Sequence, residues 1–234
     1  MRIRQFKTVY QLSFMPHIFP INCYFIEEKE DLTLVDTGLA FCCKPILKAA
    51  SAIGKPIRRI ALTHPHAEHT GALDGLKAHI PDATTYISER DSHLMRGDFS
   101  LKPGEAQLPI RGRFQKNLKT CADRLLSDAD FVGSLKTMLV PGHTPGSMAF
   151  YDSRSKTLIA GDALQTRGGV AVSGDTRIFF PFPAAATWNK ALAIDSAKKL
   201  YALDIQYLAT GHGNVIENPS AFIEKAILRA ETNL

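Results

Sequence analysis

His64-Pro65-His66-Ala67-Glu68-His69 is the stretch on which the reading of this chain turns. Three imidazoles and one carboxylate fall within six residues, directly after the short apolar run 59–62. In an extended segment, residues i and i+2 point the same way. His64 and His66 therefore present two imidazoles on one side of a strand end. Glu68 and His69 follow where the chain turns into a helix, and they face the same space from another angle. Imidazole nitrogen with carboxylate oxygen suits zinc or a similar borderline cation. The bland alternative is a polar helix entry, but histidines at this density beside a carboxylate are seldom incidental.

Three further residues stand at the ends of apolar runs: His143 in Pro141-Gly142-His143-Thr144-Pro145-Gly146, Asp162 in Ala160-Gly161-Asp162, and His212 in Gly211-His212-Gly213. Each has glycine beside it, which lets the backbone approach closely. Alone, each reads as a turn residue. Together with residues 64–69 they read as further metal ligands.

Working outward, residues 3–12, 22–26 and 32–35 predict strands, rich in β-branched and aromatic side chains. Asp36-Thr37-Gly38 ends the third in a turn. Residues 45–53 predict a helix closed by Gly54, and 59–62 a buried strand. Residues 70–79 predict a helix with Leu73, Leu76 and Ile80 at helical spacing. Residues 84–87 predict a strand, and Ser88 is placed to cap a helix reaching Met95. Residues 97–130 carry two prolines, three glycines and several cations, and read as an insertion: a loop, then a helix around 114–126. Two readings stay open, a solvated helix between halves or a substrate lid. The second half predicts strands at 135–140, 148–151, 157–160 and 205–209, with helices at 188–200 and 220–230. Between them, residues 166–186 form a long loop rich in Gly, Pro and Phe. Loops of that length in compact domains usually carry function or are disordered. Strands in two groups, each followed by helix, suggest one α/β domain over residues 1–234, a four-layer αββα sandwich.

The bulk properties narrow the class. A 45% hydrophobic, 22% charged chain of 234 residues has material for one sizeable core. A net charge of +5 suits an anionic substrate or means nothing beyond solubility, and it is too weak to argue for nucleic acid, which calls for basic residues clustered on one face. Cys23, Cys42, Cys43 and Cys121 contain no Cys-x-x-Cys pair, so a reducing cytoplasm fits. The N-terminus has no apolar core of a secretory signal, and no apolar run approaches the ~18 residues of a membrane span. The expected partner is a small-molecule substrate, with no nucleic acid and no membrane, for a monomer or homodimer.

Asp36-Thr37-Gly38, residues 64–69, His143, Asp162 and His212, in that order, resemble the metallo-β-lactamase-fold superfamily. The match runs from 36 to 212. It implies the αββα sandwich with metals at the edge between two sheets. It implies that His64, His66 and His143 hold one ion, that Glu68, His69 and His212 hold a second, and that Asp162 bridges them. Asp36 is expected to brace the loops behind the ligands. The implied cofactors are two divalent ions, zinc first, with iron or manganese as alternatives. One departure matters: Glu68 stands where the superfamily has Asp. The longer side chain leaves three outcomes open: a second metal reached by a rotamer change, a one-metal site, or a proton acceptor.

The implied activity is a metallo-hydrolase, in which metal-bound hydroxide attacks an ester, lactone or thioester bond and Glu68 or Asp162 handles the proton. The alternatives are a mononuclear iron persulfide dioxygenase and a non-catalytic metal-binding protein. The layout is similar to small lactonase-like and glyoxalase-II-like members. However, lactonases carry a Tyr shortly after the bridging Asp where Gln165 stands, and only about twenty residues follow His212, too few for a glyoxalase-II helical domain. Phe179, Phe180 and Phe182 either line an apolar pocket or pack their own loop down. Arg167 and Arg177 either meet an anionic substrate group or stay solvated.

Overall fold

Two sheets packed face to face carry the chain, and the computed structural model describes all 234 residues. The first sheet contains β1 (Arg2–Phe6), β2 (Val9–Phe14), β3 (Ile21–Glu27), β4 (Leu32–Val35), β5 (Ile57–Ala61), β6 (Thr84–Ser88) and β7 (Arg124–Leu126), in the order of the chain. Neighbours from β1 to β4 are antiparallel, and those from β4 to β7 are parallel. Parallel neighbours need crossovers. Here they are α1 (Cys43–Ile53), then α2 (Ala67–Thr70) with α3 (Leu73–His79), then α4 (Glu89–Met95) followed by a long irregular strap.

The second sheet begins with the meander β8 (Phe131–Val132), β9 (Leu135–Leu139), β10 (Met148–Asp152) and β11 (Thr157–Ile159). A small hairpin, β12 (Leu164–Gln165) with β13 (Ala171–Val172), stands apart from it. After α5 (Phe182–Ala185) and α6 (Lys190–Tyr201), β14 (Tyr207–Ala209) joins β11 in parallel, β15 (Ile216–Glu217) closes the edge, and α7 (Ser220–Thr232) ends the chain.

The burial pattern makes this a four-layer αββα sandwich. One apolar cluster joins the first sheet to α1 and α3, for example Phe25 and Leu34 with Ile46 and Leu76. A second lies between the sheets, with Tyr24, Ile26 and Val35 meeting Leu135, Phe150 and Ile159. A third joins the second sheet to α6 and α7, through Leu158 and Leu208 with Leu200 and Ile223. β3 shows why its sequence is almost wholly apolar: Cys23 and Phe25 face outward to helices, and Tyr24 and Ile26 face the other sheet. No helix is long and apolar enough to cross a membrane.

Three expectations change. Residues 3–12 are a hairpin rather than one strand: Phe6 pairs with Val9 across a two-residue turn with Lys7 at φ 53°. The helix expected over 70–79 is divided into α2 and α3, because Ala72 N–H donates to Gly38 O at 3.2 Å and His69 O accepts from Thr37 N–H at 2.8 Å, so neither group serves a bond within a continuous helix. No helix forms around 114–126. The strap gives its backbone to the body of the protein instead: Ala67 N–H donates to Arg113 O at 2.7 Å, Asp123 N–H to Thr85 O at 2.9 Å, and the amides of Lys119 and Thr120 to the Asp74 carboxylate at 3.0 and 2.8 Å.

Candidate metal centre

Every chemistry-bearing loop leaves the same edge of the sandwich. Asp36 follows β4, residues 63–69 follow β5, His143 follows β9, Asp162 follows β11 and His212 follows β14. The two sheets are joined at this edge by Met148 N–H donating to Thr63 O at 2.8 Å and Asn22 N–H donating to Gly211 O at 3.0 Å.

His64 Nε2 lies 3.0 Å from His66 Nδ1, which lies 3.1 Å from His143 Nε2. Asp162 Oδ2 lies 3.2 Å from His212 Nε2 and 3.6 Å from His143 Nε2, and Asp162 Oδ1 lies 3.6 Å from His69 Nε2. Ligand atoms of His64, His66 and His143 lie within 4.8 Å of one another, as do those of His64, His69 and Asp162, and those of Glu68, His69 and His212. The structure thus brings together all seven residues expected to hold metal, and Glu68 reaches its companions despite its extra methylene.

The hydrogen bonds behind the rings fix their tautomers. Thr63 Oγ1 donates to Asp36 Oδ2 and is left to accept from His64 Nδ1–H at 3.1 Å. His69 Nδ1–H donates to Asp36 Oδ2 at 2.8 Å, and His212 Nδ1–H to Pro20 O at 2.7 Å. His143 Nδ1–H meets Ser173 Oγ at 2.9 Å, and the relay continues through Thr187 Oγ1 to Pro183 O. His66 is turned the other way, with Nε2–H donating to Arg111 O at 3.0 Å. Five imidazoles therefore donate outward and aim one lone pair each inward, the arrangement a metal requires of histidine. Asp36 takes the bracing place expected of it, also accepting the Thr63 N–H at 2.8 Å.

The electrostatics divide the rings: His64, His66 and His143 are kept neutral with the inward lone pair free, whereas His69 and His212 are drawn toward the charged form, whose inward proton a bound ion would displace. Burial pulls the His64 imidazole well below its ordinary pKa, helped by the neighbouring rings. Burial likewise lowers His66 to about 4 and His143 to about 3. Burial also opposes charge on His69 and His212, but the carboxylates beside them outweigh it, Asp36 and Asp162 for His69 and Asp162 for His212, and both are raised. Burial disfavours a charged Asp162, yet the adjacent His212 and His69 hold it well below the usual carboxylate range. Asp162 Oδ1 and His69 Nε2 are buried with no hydrogen-bond partner. Buried polar atoms without partners call for a missing ion or water, and this donor set fits a divalent metal ion. Close backbone approach is essential here: a Cβ on Gly211 would lie 2.1 Å from Asp162 Oδ1.

The loop bearing His143 is pinned by Asp91 of α4, whose carboxylate accepts from Thr144 Oγ1 at 2.5 Å and from Gly146 N–H at 2.7 Å. Ser88 caps that helix as expected, accepting from Asp91 N–H at 3.1 Å. Burial raises Asp91 to about 7 from 3.8. A carboxyl whose pKa is higher folded than unfolded contributes stability that is full below the unfolded value and lost as pH climbs through the folded one. Between pH 4 and pH 8 this group is expected to remove up to about 4 kcal/mol. Asp91→Asn should flatten that slope in urea titrations at pH 5 and pH 8. An unchanged slope would show that Asp91 does not titrate in this window.

A cavity of about 1340 Å³ opens beside the cluster, with Glu68 in its wall. Phe114 from the strap and Phe182 from the 166–186 loop line it. Phe180 is buried and stacks on His212 with ring centres 5.2 Å apart, whereas Phe179 is 88% exposed. Arg167 and Arg177 do not face the cavity: they donate to His17 O and Val170 O. Sequence reasoning missed Thr63, Ser173, Thr187 and the strap residues Arg111, Gly112 and Phe114. Among these only Gly112, a glycine between two arginines, left a local trace.

The comparisons agree with this geometry. The family profile described as the metallo-beta-lactamase superfamily matches residues 18–212. The uncharacterized protein YobT of Bacillus subtilis is 49% identical over 231 residues, covering 99% of both chains. The hydroxyacylglutathione hydrolase GloC of Haemophilus influenzae is 26% identical over 203 residues, 84% of this chain and 87% of that protein. Among solved structures, the DIM-1 metallo-beta-lactamase superposes with TM-score 0.74 at 17% identity, covering 100% of this chain and 97% of the other. TTHA1623 in a di-iron-bound form superposes with TM-score 0.65 at 25% identity, covering 90% and 95%. With the profile spanning most of its length and the ligand cluster at the expected edge, this chain belongs to the metallo-β-lactamase superfamily.

Proposed function

We propose that this protein is a metal-dependent hydrolase of an ester or thioester bond in a small molecule, with two divalent ions at the sheet edge. The observation that carries this reading is the convergence of five imidazole lone pairs and Asp162 on one space, opened to a large cavity at Glu68. His64, His66 and His143 would hold one ion and Glu68, His69 and His212 the other, with Asp162 beside both sets. Zinc suits these ligands; iron is the alternative that the di-iron neighbour keeps in view. An ion bound here supplies a Lewis acid and lowers the pKa of a water it holds to about 7.

The protein's own groups do the rest. The Glu68 carboxylate, half-buried in the cavity wall, has two oxygens, and the one not lent to an ion would accept the proton that an attacking water gives up. Asp162 holds its charge between the two ligand sets. Phe114 and Phe182 offer apolar surface to a substrate beside the cluster. The hydroxyacylglutathione hydrolase relative supports a thioester. Lactone chemistry is less favoured, because the Gln165 amide is committed to Arg167 O and Phe180 O at 3.3 Å each. The persulfide dioxygenase reading leaned on a displaced Glu68, and its grouping with His69 and His212 favours two metals over one.

Purified, zinc-loaded protein is expected to carry close to two ions per chain by atomic spectroscopy. It should also hydrolyse members of an ester and thioester panel, lose that activity on chelation, and regain it with metal. Turnover that survives complete metal removal would overturn the proposal, as would oxygen uptake with glutathione persulfide in the absence of hydrolysis.

A further inference from the structure

The cavity beside Glu68 has two kinds of wall. Phe19, Leu39, Phe99 and Phe182 give it apolar surface, and Phe19 and Phe182, ring centres 5.0 Å apart, extend this toward His212. Arg96 at the end of α4, with Arg113 and Lys116 on the strap, line the same space. None of these three cations has a carboxylate within 4.0 Å, although Arg90 on the same helix is held by Glu105 at 2.5 Å. The strap that carries Arg113 is held in place by the body: Arg113 O accepts from Ala67 N–H, and Leu108 O accepts from Trp188 Nε1–H at 3.0 Å. The only carboxylate in the cavity wall is Glu68, a candidate metal ligand. Unpaired cations on a concave surface focus a positive potential and raise the local concentration of anions. All three are exposed and have no internal partner, so a ligand's anionic oxygens need displace only water from their donors.

We propose that the cavity selects amphipathic anions: acyl esters or thioesters whose apolar part fills the Phe19–Phe182 wall and whose carboxylate or phosphate is held by Arg96, Arg113 and Lys116. The assignment rests on the hydrolase reading for its chemistry but on the cavity for its specificity. Hydrolysis of such a thioester adds water across the acyl carbon–sulfur bond: the acyl carbon gains oxygen, the sulfur leaves as thiol, and no oxidant is consumed.

The test uses matched thioesters of one acyl group on 3-mercaptopropionate, which is anionic, and on 2-mercaptoethanol, which is neutral. Acyl chains run from two to eight carbons, and zinc-loaded protein is assayed by thiol release. kcat/KM is expected to favour the anionic series at least tenfold at low salt, through KM. The preference should shrink at 0.5 M salt and rise with chain length in both series. Arg113→Gln with Lys116→Gln should reduce the anionic preference to under threefold, while Lys44→Gln with Lys48→Gln, an equal charge loss on α1, should preserve it. Equal use of the two series overturns the proposal, as does a preference that survives R113Q/K116Q. Octanoate and octanol binding to the metal-free protein, by calorimetry, separates the two readings. Should no thioester be hydrolysed, octanoate binding at least tenfold tighter than octanol, and dependent on Arg113 and Lys116, upholds the pocket while the hydrolase reading falls. Equal binding sinks the pocket assignment itself.

Discussion

Alanine at Asp162 is expected to lower kcat/KM for metal-dependent hydrolysis by three or more orders of magnitude, about 4 kcal/mol of transition-state stabilisation. The carboxylate is 3% exposed and sits against His212, His69 and His143, so it touches both candidate ligand sets. Without it, the two sets lose the charge they share, and bound metal should fall from close to two ions toward one or none. Asp162→Asn keeps the volume and removes the charge, and the same loss is expected. The fold should survive both changes, because backbone contacts position the loops: Gly211 N–H donates to Gly161 O at 2.9 Å, Thr166 N–H to His212 O at 3.0 Å, and Trp188 N–H to His143 O at 3.0 Å. Circular dichroism tests the fold, and atomic spectroscopy tests the metal content. A D162A protein with two ions and activity within tenfold of the parent would remove Asp162 from the centre.

Gly112→Ala is expected to weaken metal binding by ten- to a hundredfold, the usual effect of disturbing a partner behind a metal-binding histidine. A Cβ at Gly112 would lie 1.9 Å from His66 Nε2, and φ is +100°, where a side chain is strained whatever the space. The strap must back away, and the His66 ring loses the Arg111 carbonyl that turns its Nδ1 inward. Gly104→Ala separates strain from contact. Its φ is +85° but nothing lies within 4 Å, so it should cost stability of order 1 kcal/mol and leave metal affinity unchanged. Competition against a chromophoric chelator measures both variants. Equal affinities in the two would mean that the strap does not orient His66.

The ligands were legible because metal chemistry demands particular side chains at short spacing, and residues 64–69 hold four of the seven. Most strands and helices were legible from period and caps, as at Gly54 and Ser88. What supports the ligands was largely hidden. Pro20 and Arg111 act through backbone carbonyls, which leave no mark on residue type, and Ser173 and Thr187 reach His143 only once the chain is folded. The strap misled for a definite reason. Phe114, Leu118 and Ala122 recur at intervals of four, as in a helix, but Phe114 packs on His66 while Leu118 and Ala122 dock on the outer core cluster. Residues 3–12 misled because β-branched and aromatic residues stand on both sides of the turn, and Lys7-Thr8 carries no Gly, Pro, Asn or Asp to mark it.

The ligand set straddles the chain. Residues 64–69 come from the first sheet's half, and His143, Asp162 and His212 from the second. An ion held by Glu68, His69 and His212 ties together positions up to 212 − 68 = 144 residues apart, a cross-link that none of the four free cysteines provides. The donors share one space only after the two sheets have packed, so the unfolded chain offers no comparable site. By linkage, metal affinity then reports on how well the halves have joined. A substitution deep between the sheets, at Phe150 for instance, would register first as an ion less tightly held.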